Sequence, residues 1–133
     1  MKFPRNLVLT AAAVAAMAAA VPASAHHSVY GAFDKDKSMS MKAVVKKVDW
    51  INPHTFFTVE AKDARGETKV WRLESQPPAF LRRVGLTKEK LMGDGKPVDI
   101  TILPARKQGV DNVGFLIKMT TADGKTIVFA PDK

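Results

Sequence analysis

From residue 38 onward apolar and polar positions alternate with a period of two, the pattern of strands with one face buried. Met39, Met41, Ala43 and Val45 fall on one side of a first strand, with Ser40, Lys42 and Val44 between them. The next apolar residues on that side are Val48 and Trp50, beyond the adjacent pair Lys46-Lys47, so the phase slips. A bulge in a long, bent strand accounts for such a slip. Ile51-Asn52-Pro53-His54 interrupts the run, because Pro53 cannot donate to a central ladder. A second strand over 55–62 puts Phe57, Val59 and Ala61 on one face. Residues 63–66 turn the chain into a third strand over 68–74, with Trp71 and Leu73 opposite Arg72 and Glu74.

The period then changes. Ser75 is placed to cap a helix, Pro77 and Pro78 suit its first turn, and Phe80, Leu81 and Val84 form an apolar stripe that Gly85 ends. Thr87 is placed to cap one further turn through Leu91, before Gly93-Asp94-Gly95. Val98, Ile100 and Ile102 alternate in a fourth strand, and Phe115, Ile117 and Met119 alternate in a fifth. Asp123-Gly124 leads into a last strand over 126–130. This order predicts an all-β fold with one helix: a small five- to six-stranded OB-like Greek-key barrel, with the helix between strands 3 and 4. Closure into a barrel would also remove exposed strand edges. A β-sandwich with an inserted helix shares the pattern but usually needs about seven strands.

The stretch before residue 38 has a different character. Lys2 and Arg5 precede an Ala-rich apolar run over 7–21, and Ala23-Ser24-Ala25 is a small-x-small cleavage signal, so residues 1–25 read as a secretory signal peptide. The run is too short for a membrane span, which needs about 20 apolar residues. Domain organisation follows as signal peptide 1–25, a turn-rich N-terminal arm 26–37, and a barrel domain 38–133, with the periplasm as the expected compartment.

Charge changes meaning with that cut. The chain carries 21 Lys and Arg against 13 Asp and Glu, a formal +8, which at face value suggests nucleic acid. Cleavage after Ala25 leaves 108 of 133 residues and removes Lys2 and Arg5, so 19 basic side chains face 13 acidic ones, a formal +6 on an exported protein. Genomic nucleic acid is then not an expected partner. The absence of cysteine excludes a disulfide framework, thiolate metal sites and thiol chemistry.

The three histidines carry the most information. A cut after Ala25 makes His26 the amino-terminal residue, followed by His27. A terminal histidine offers an amine and a ring nitrogen, and one further imidazole gives a three-nitrogen set of the kind copper accepts. His54, in the loop between the first two strands, is the third donor. Met39 and Met41 are candidate soft ligands, although methionine more commonly fills core gaps. His54 can also be a turn residue whose ring pins its loop. A cut after Ala23 leaves Ser24-Ala25-His26, with histidine third from the amine, which also chelates cupric ion. No Gly-x-Ser-x-Gly elbow, phosphate-cradling loop or His-Glu-x-x-His pair occurs, so a non-catalytic binding protein is expected.

A second reading rests on Lys46, Lys47, Arg72 and Arg82 with Trp50. Basic side chains beside aromatic ones on an OB-type barrel suit an acidic glycan, a lipid head group or an acidic partner protein.

The same residues carry a resemblance. Ala25-His26-His27-Ser28, Val48-Asp49-Trp50-Ile51-Asn52-Pro53-His54, Trp71-Arg72-Leu73-Glu74 and Leu81-Arg82-Arg83, with Gly93-Asp94 before the fourth strand, resemble an uncharacterised family of small exported bacterial proteins, a domain of unknown function. The likeness spans nearly the whole chain after residue 25 and departs at Gly95-Lys96, in a turn. It implies a periplasmic OB-like domain and no particular activity.

Overall fold

The computed structural model describes residues 29–130. The expected signal peptide, and His26 and His27 with it, lie outside them. Elements follow in the order α1 (Val29–Ala32), a 3-10 turn (Lys35–Lys37), β1 (Met39–Asp49), β2 (Phe56–Lys62) and β3 (Thr68–Glu74). Next come α2 (Pro78–Arg83), α3 (Lys88–Met92), a second 3-10 turn (Gly93–Gly95), β4 (Pro97–Pro104), β5 (Val113–Thr120) and β6 (Thr126–Val128).

The six strands form one mostly antiparallel sheet in the order β3-β2-β1-β4-β5-β6, and β3 also pairs with β5 in parallel, which makes the fold barrel-like. β1 is 11 residues long because it serves two neighbours. Its first half pairs with β4, from Met39↔Ile102 to Val44↔Pro97, and its second half pairs with β2, from Ala43↔Ala61 to Asp49↔Phe56. The register shifts between Val45 and Lys47, so the phase slip in the sequence corresponds to a real irregularity at Lys46. Ala43, Val45, Val48, Phe57, Val59 and Leu73 point into the main core, as alternation requires.

Four details depart from the sequence pattern. Ser75 does not cap a helix: α2 starts at Pro78 with Pro77 as its N-cap and no side-chain cap, and Ser75 is fully buried. Two short helices, α2 and α3, stand where the pattern expects one helix. They send Leu81 and Leu91, with Leu86 between them, into the main core, and the Thr87 hydroxyl caps α3 by accepting from the Lys90 N–H. The last strand stops at Val128 rather than residue 130. The fifth strand does not keep Phe115, Ile117 and Met119 on one face. Thr101 pairs with Lys118 and Ile102 with Leu116, which leaves Ile117 as the extra residue of a bulge. Leu116 and Met119 consequently join the main core, while Phe115 and Ile117 join a second one.

That second core lies under the arm. Phe33 packs on Phe115, with ring centroids 5.6 Å apart, and Leu103 and Ile117 complete the cluster beside Val29 and Tyr30. Backbone bonds fasten the arm here: Asp34 N–H donates to Pro104 O (2.8 Å) and Arg106 N–H to Ala32 O (2.9 Å). Among the described residues no helix is long and apolar enough to cross a membrane.

Candidate functional site

Antiparallel register places Asp49 beside Phe56 and Phe56 beside Glu74, and the parallel pairing places Glu74 beside Phe115. Residues in one such row project from the same side of the sheet. One row therefore crosses four strands with the side chains Asp49, Phe56, Glu74 and Phe115. The 50–55 loop returns along the end of this row. Its backbone is held to the end of β3, where Ser75 N–H donates to Thr55 O (2.9 Å) and Thr55 N–H to Gln76 O (3.2 Å), and the peptide before Pro53 is cis. His54 is thereby set beside Glu74.

The His54 Nδ1–H donates to Glu74 Oε1. The two side chains are only 32% and 24% exposed, respectively. Because one ring nitrogen is committed as donor, Nε2 is the nitrogen with a lone pair to offer a ligand. A carboxylate on the far nitrogen is also the usual support of a metal-binding histidine, since it fixes the ring and raises its basicity. A cavity of about 610 Å³ opens at this pair, walled by Pro53, Phe56, Phe115 and Pro77 and, from the arm, by Val29 and Phe33.

His54 alone of the three expected metal ligands lies among the described residues. Among them no group of three His, Cys, Asp or Glu side chains is close enough together to hold a metal ion. Met39 and Met41 do not join His54. They sit at the start of β1 beside Ile102 and Ile100, and eight residues separate Met41 from Asp49 at the other end. That is roughly 26 Å of strand at about 3.3 Å per residue.

The residues of the second reading are brought partly together. Register aligns Lys47, Thr58 and Arg72 in the row next to Phe56. Acids already occupy most of the charges: Lys47 pairs with Asp49 at 2.7 Å, Arg72 with the same carboxylate at 3.3 Å, and Lys46 with Glu60 at 3.6 Å. The Lys47 hydrogen bond, with that of Arg72 behind it, holds the Asp49 carboxyl below its ordinary value. The Arg72 guanidinium also covers the Phe56 ring at 4.5 Å. Trp50 is partly buried against the main core. Arg82 is exposed on α2.

The sequence reading did not single out Glu74 as a partner of His54, nor Arg106 and Phe33 as the residues that dock the arm. A signal for Glu74 exists: the Asn-Pro-His and Trp-x-x-Glu motifs end on the two members of the pair. Arg106 has no motif around it. Its Nε donates to the carbonyls of Tyr30 (3.0 Å) and Phe33 (3.1 Å).

Comparison with known proteins gives one match. The model of a family of unknown function, DUF6152, covers residues 13–113, about three quarters of the chain. No curated protein matches, and neither does any solved structure.

Proposed function

The chain belongs to DUF6152, a family of unknown function, and we propose that it is an exported, non-catalytic binding domain of the periplasm that holds a copper ion through His26, His27 and His54. One observation carries the reading. Val29 and His54 wall the same cavity, so the segment that bears His26 and His27 joins the described fold at the rim of the His54 site. Three residues of chain reach at most about 11 Å, enough to bring either histidine to a metal on His54 Nε2. Glu74 supplies the outer support such a ligand needs.

Amine, two or three imidazoles and no thiolate form a donor set that suits cupric ion in an oxidising compartment. The barrel itself is read as OB type, with a Greek-key path. The parallel β3–β5 pairing, the double use of β1 and the helices between β3 and β4 support that assignment, and they place the 50–55 loop at a customary binding edge. The basic face is the weaker reading, because Lys46, Lys47 and Arg72 each already have a carboxylate partner.

Titration calorimetry with cupric ion, on protein whose first residue is shown by mass spectrometry to be His26, tests the reading. His54→Ala is expected to weaken binding at least tenfold. Glu74→Gln, which keeps an acceptor for Nδ1–H but loses the charge, is expected to weaken it about 10- to 100-fold. Affinity no better than that of a short peptide with the same first residues, or no loss in His54→Ala, refutes it.

A further inference from the structure

The geometry points to the cavity beside His54 as a binding site for a small uncharged ring compound that carries a hydrogen-bond donor, of the size of a substituted phenol. Its volume of about 610 Å³ falls within the usual range for small-molecule sites. Rings make up its walls: Phe33, Phe56 and Phe115 with the pyrrolidines of Pro53 and Pro77. Flat apolar walls favour a flat apolar guest, through offset or edge-to-face packing.

The charge of the guest follows from what is missing. Among the described residues no Lys or Arg lines the cavity, in a chain of formal charge +8. An organic anion would therefore find no cation there. A cation is disfavoured as well, because the Arg72 guanidinium already covers the Phe56 ring.

The polar complement follows from His54. Its Nδ1–H is committed to Glu74, which leaves Nε2 as an acceptor, so the matching group on the guest is an O–H or N–H. The wall also holds polar capacity that the chain leaves unused. Ser75 lines the cavity with its hydroxyl fully buried, and neither it nor the buried hydroxyl of Thr55 behind it has a hydrogen-bond partner. Buried polar groups are ordinarily satisfied, so unpartnered ones beside a cavity mark a place where something else binds.

This inference does not rest on the copper reading, although both use Nε2. A metal ion and the guest compete for that nitrogen, and each weakens the other by the same factor.

The test uses p-cresol and toluene, which share a ring and a methyl group and differ by one hydroxyl, on protein stripped of metal with EDTA. Amide shifts followed by NMR are expected to move at His54, Phe56, Glu74 and Phe115, with p-cresol binding about tenfold more tightly than toluene. His54→Ala is expected to abolish that advantage while toluene still binds. Equal affinities for the two compounds in the unmodified protein, or no shifts at the cavity residues at millimolar concentration, overturn the inference. Because these measurements exclude metal, failure here leaves the copper titration untouched. The converse also holds.

Discussion

Gly114 stands where β3, β4 and β5 meet, paired with Leu73 on one side and Pro104 on the other. A Cβ at this position would lie 2.8 Å from the carbonyl oxygen of Leu103 and 3.2 Å from the Ile102 side chain. The first contact is with backbone that two ladders hold in place, so it cannot be relieved by rotating a side chain. Glycine is needed at this point because the parallel seam brings the strands too close for a methyl group. Gly114→Ala is expected to destabilise the fold by about 1–3 kcal/mol, in the range of overpacked cores. Urea unfolding followed by Trp fluorescence reads the change, and an unchanged midpoint would show that the seam opens without cost. At the same scale, the His54–Glu74 pair shows how one residue acquires its chemistry from another. His54 in a free loop would be one more solvated imidazole, whereas the carboxylate next to it selects which nitrogen faces a ligand.

The arm is the element whose behaviour depends most on a few contacts. α1 has four residues, so all its last carbonyls lack partners within the helix. Arg106 supplies them: its Nε donates to Tyr30 O and Phe33 O, and its Nη1 lies 3.7 Å from Asp34. Phe33 inserts beneath, against Phe115. Arg106→Ala is therefore expected to loosen the arm without unfolding the barrel. Hydrogen exchange at the Phe33 and Asp34 amides should quicken about tenfold or more, while amides of Val45 and Val59 keep their protection. Uniform quickening across the barrel would instead make Arg106 part of the global fold. The strands of the main core were legible in the sequence because alternation reports burial on one face, and even the irregularity at Lys46 left its trace in the phase. The arm was not. Leu103 and Ile117 point away from the main core, yet a cover formed more than 60 residues earlier in the chain buries them, and periodicity cannot report a partner so distant. The same limit hid the metal-type support of His54. The histidine itself could be found by type, but its carboxylate lies 20 residues on and reaches it only through the β2–β3 register.

On the scale of the whole molecule, charge and pH act through exposed carboxylates. Asp49 lies below its ordinary 3.8, chiefly through the Lys47 hydrogen bond, and Asp123 lies below the same value, chiefly through the Thr121 hydroxyl. Glu89 lies below 4.5, chiefly because its own backbone N–H reaches its carboxylate at the start of α3. A carboxyl whose folded value is depressed binds its proton less readily in the folded state. It therefore adds stability above the unfolded value, and that stability is lost as pH falls through the folded one. All three groups shift in the same direction, so their effects add. Protonation also removes negative charge from a chain whose formal charge is already +8, which increases self-repulsion. The melting temperature is thus expected to stay level from about pH 7 to about pH 5 and to fall below about pH 4. Because these side chains are exposed, about 1 M salt should flatten the fall. Asp49→Asn should flatten it too, since asparagine has no proton to gain. A melting temperature that rose on acidification, or an acid slope unchanged in Asp49→Asn and in high salt, would mean that buried groups rather than these surface carboxylates govern the response.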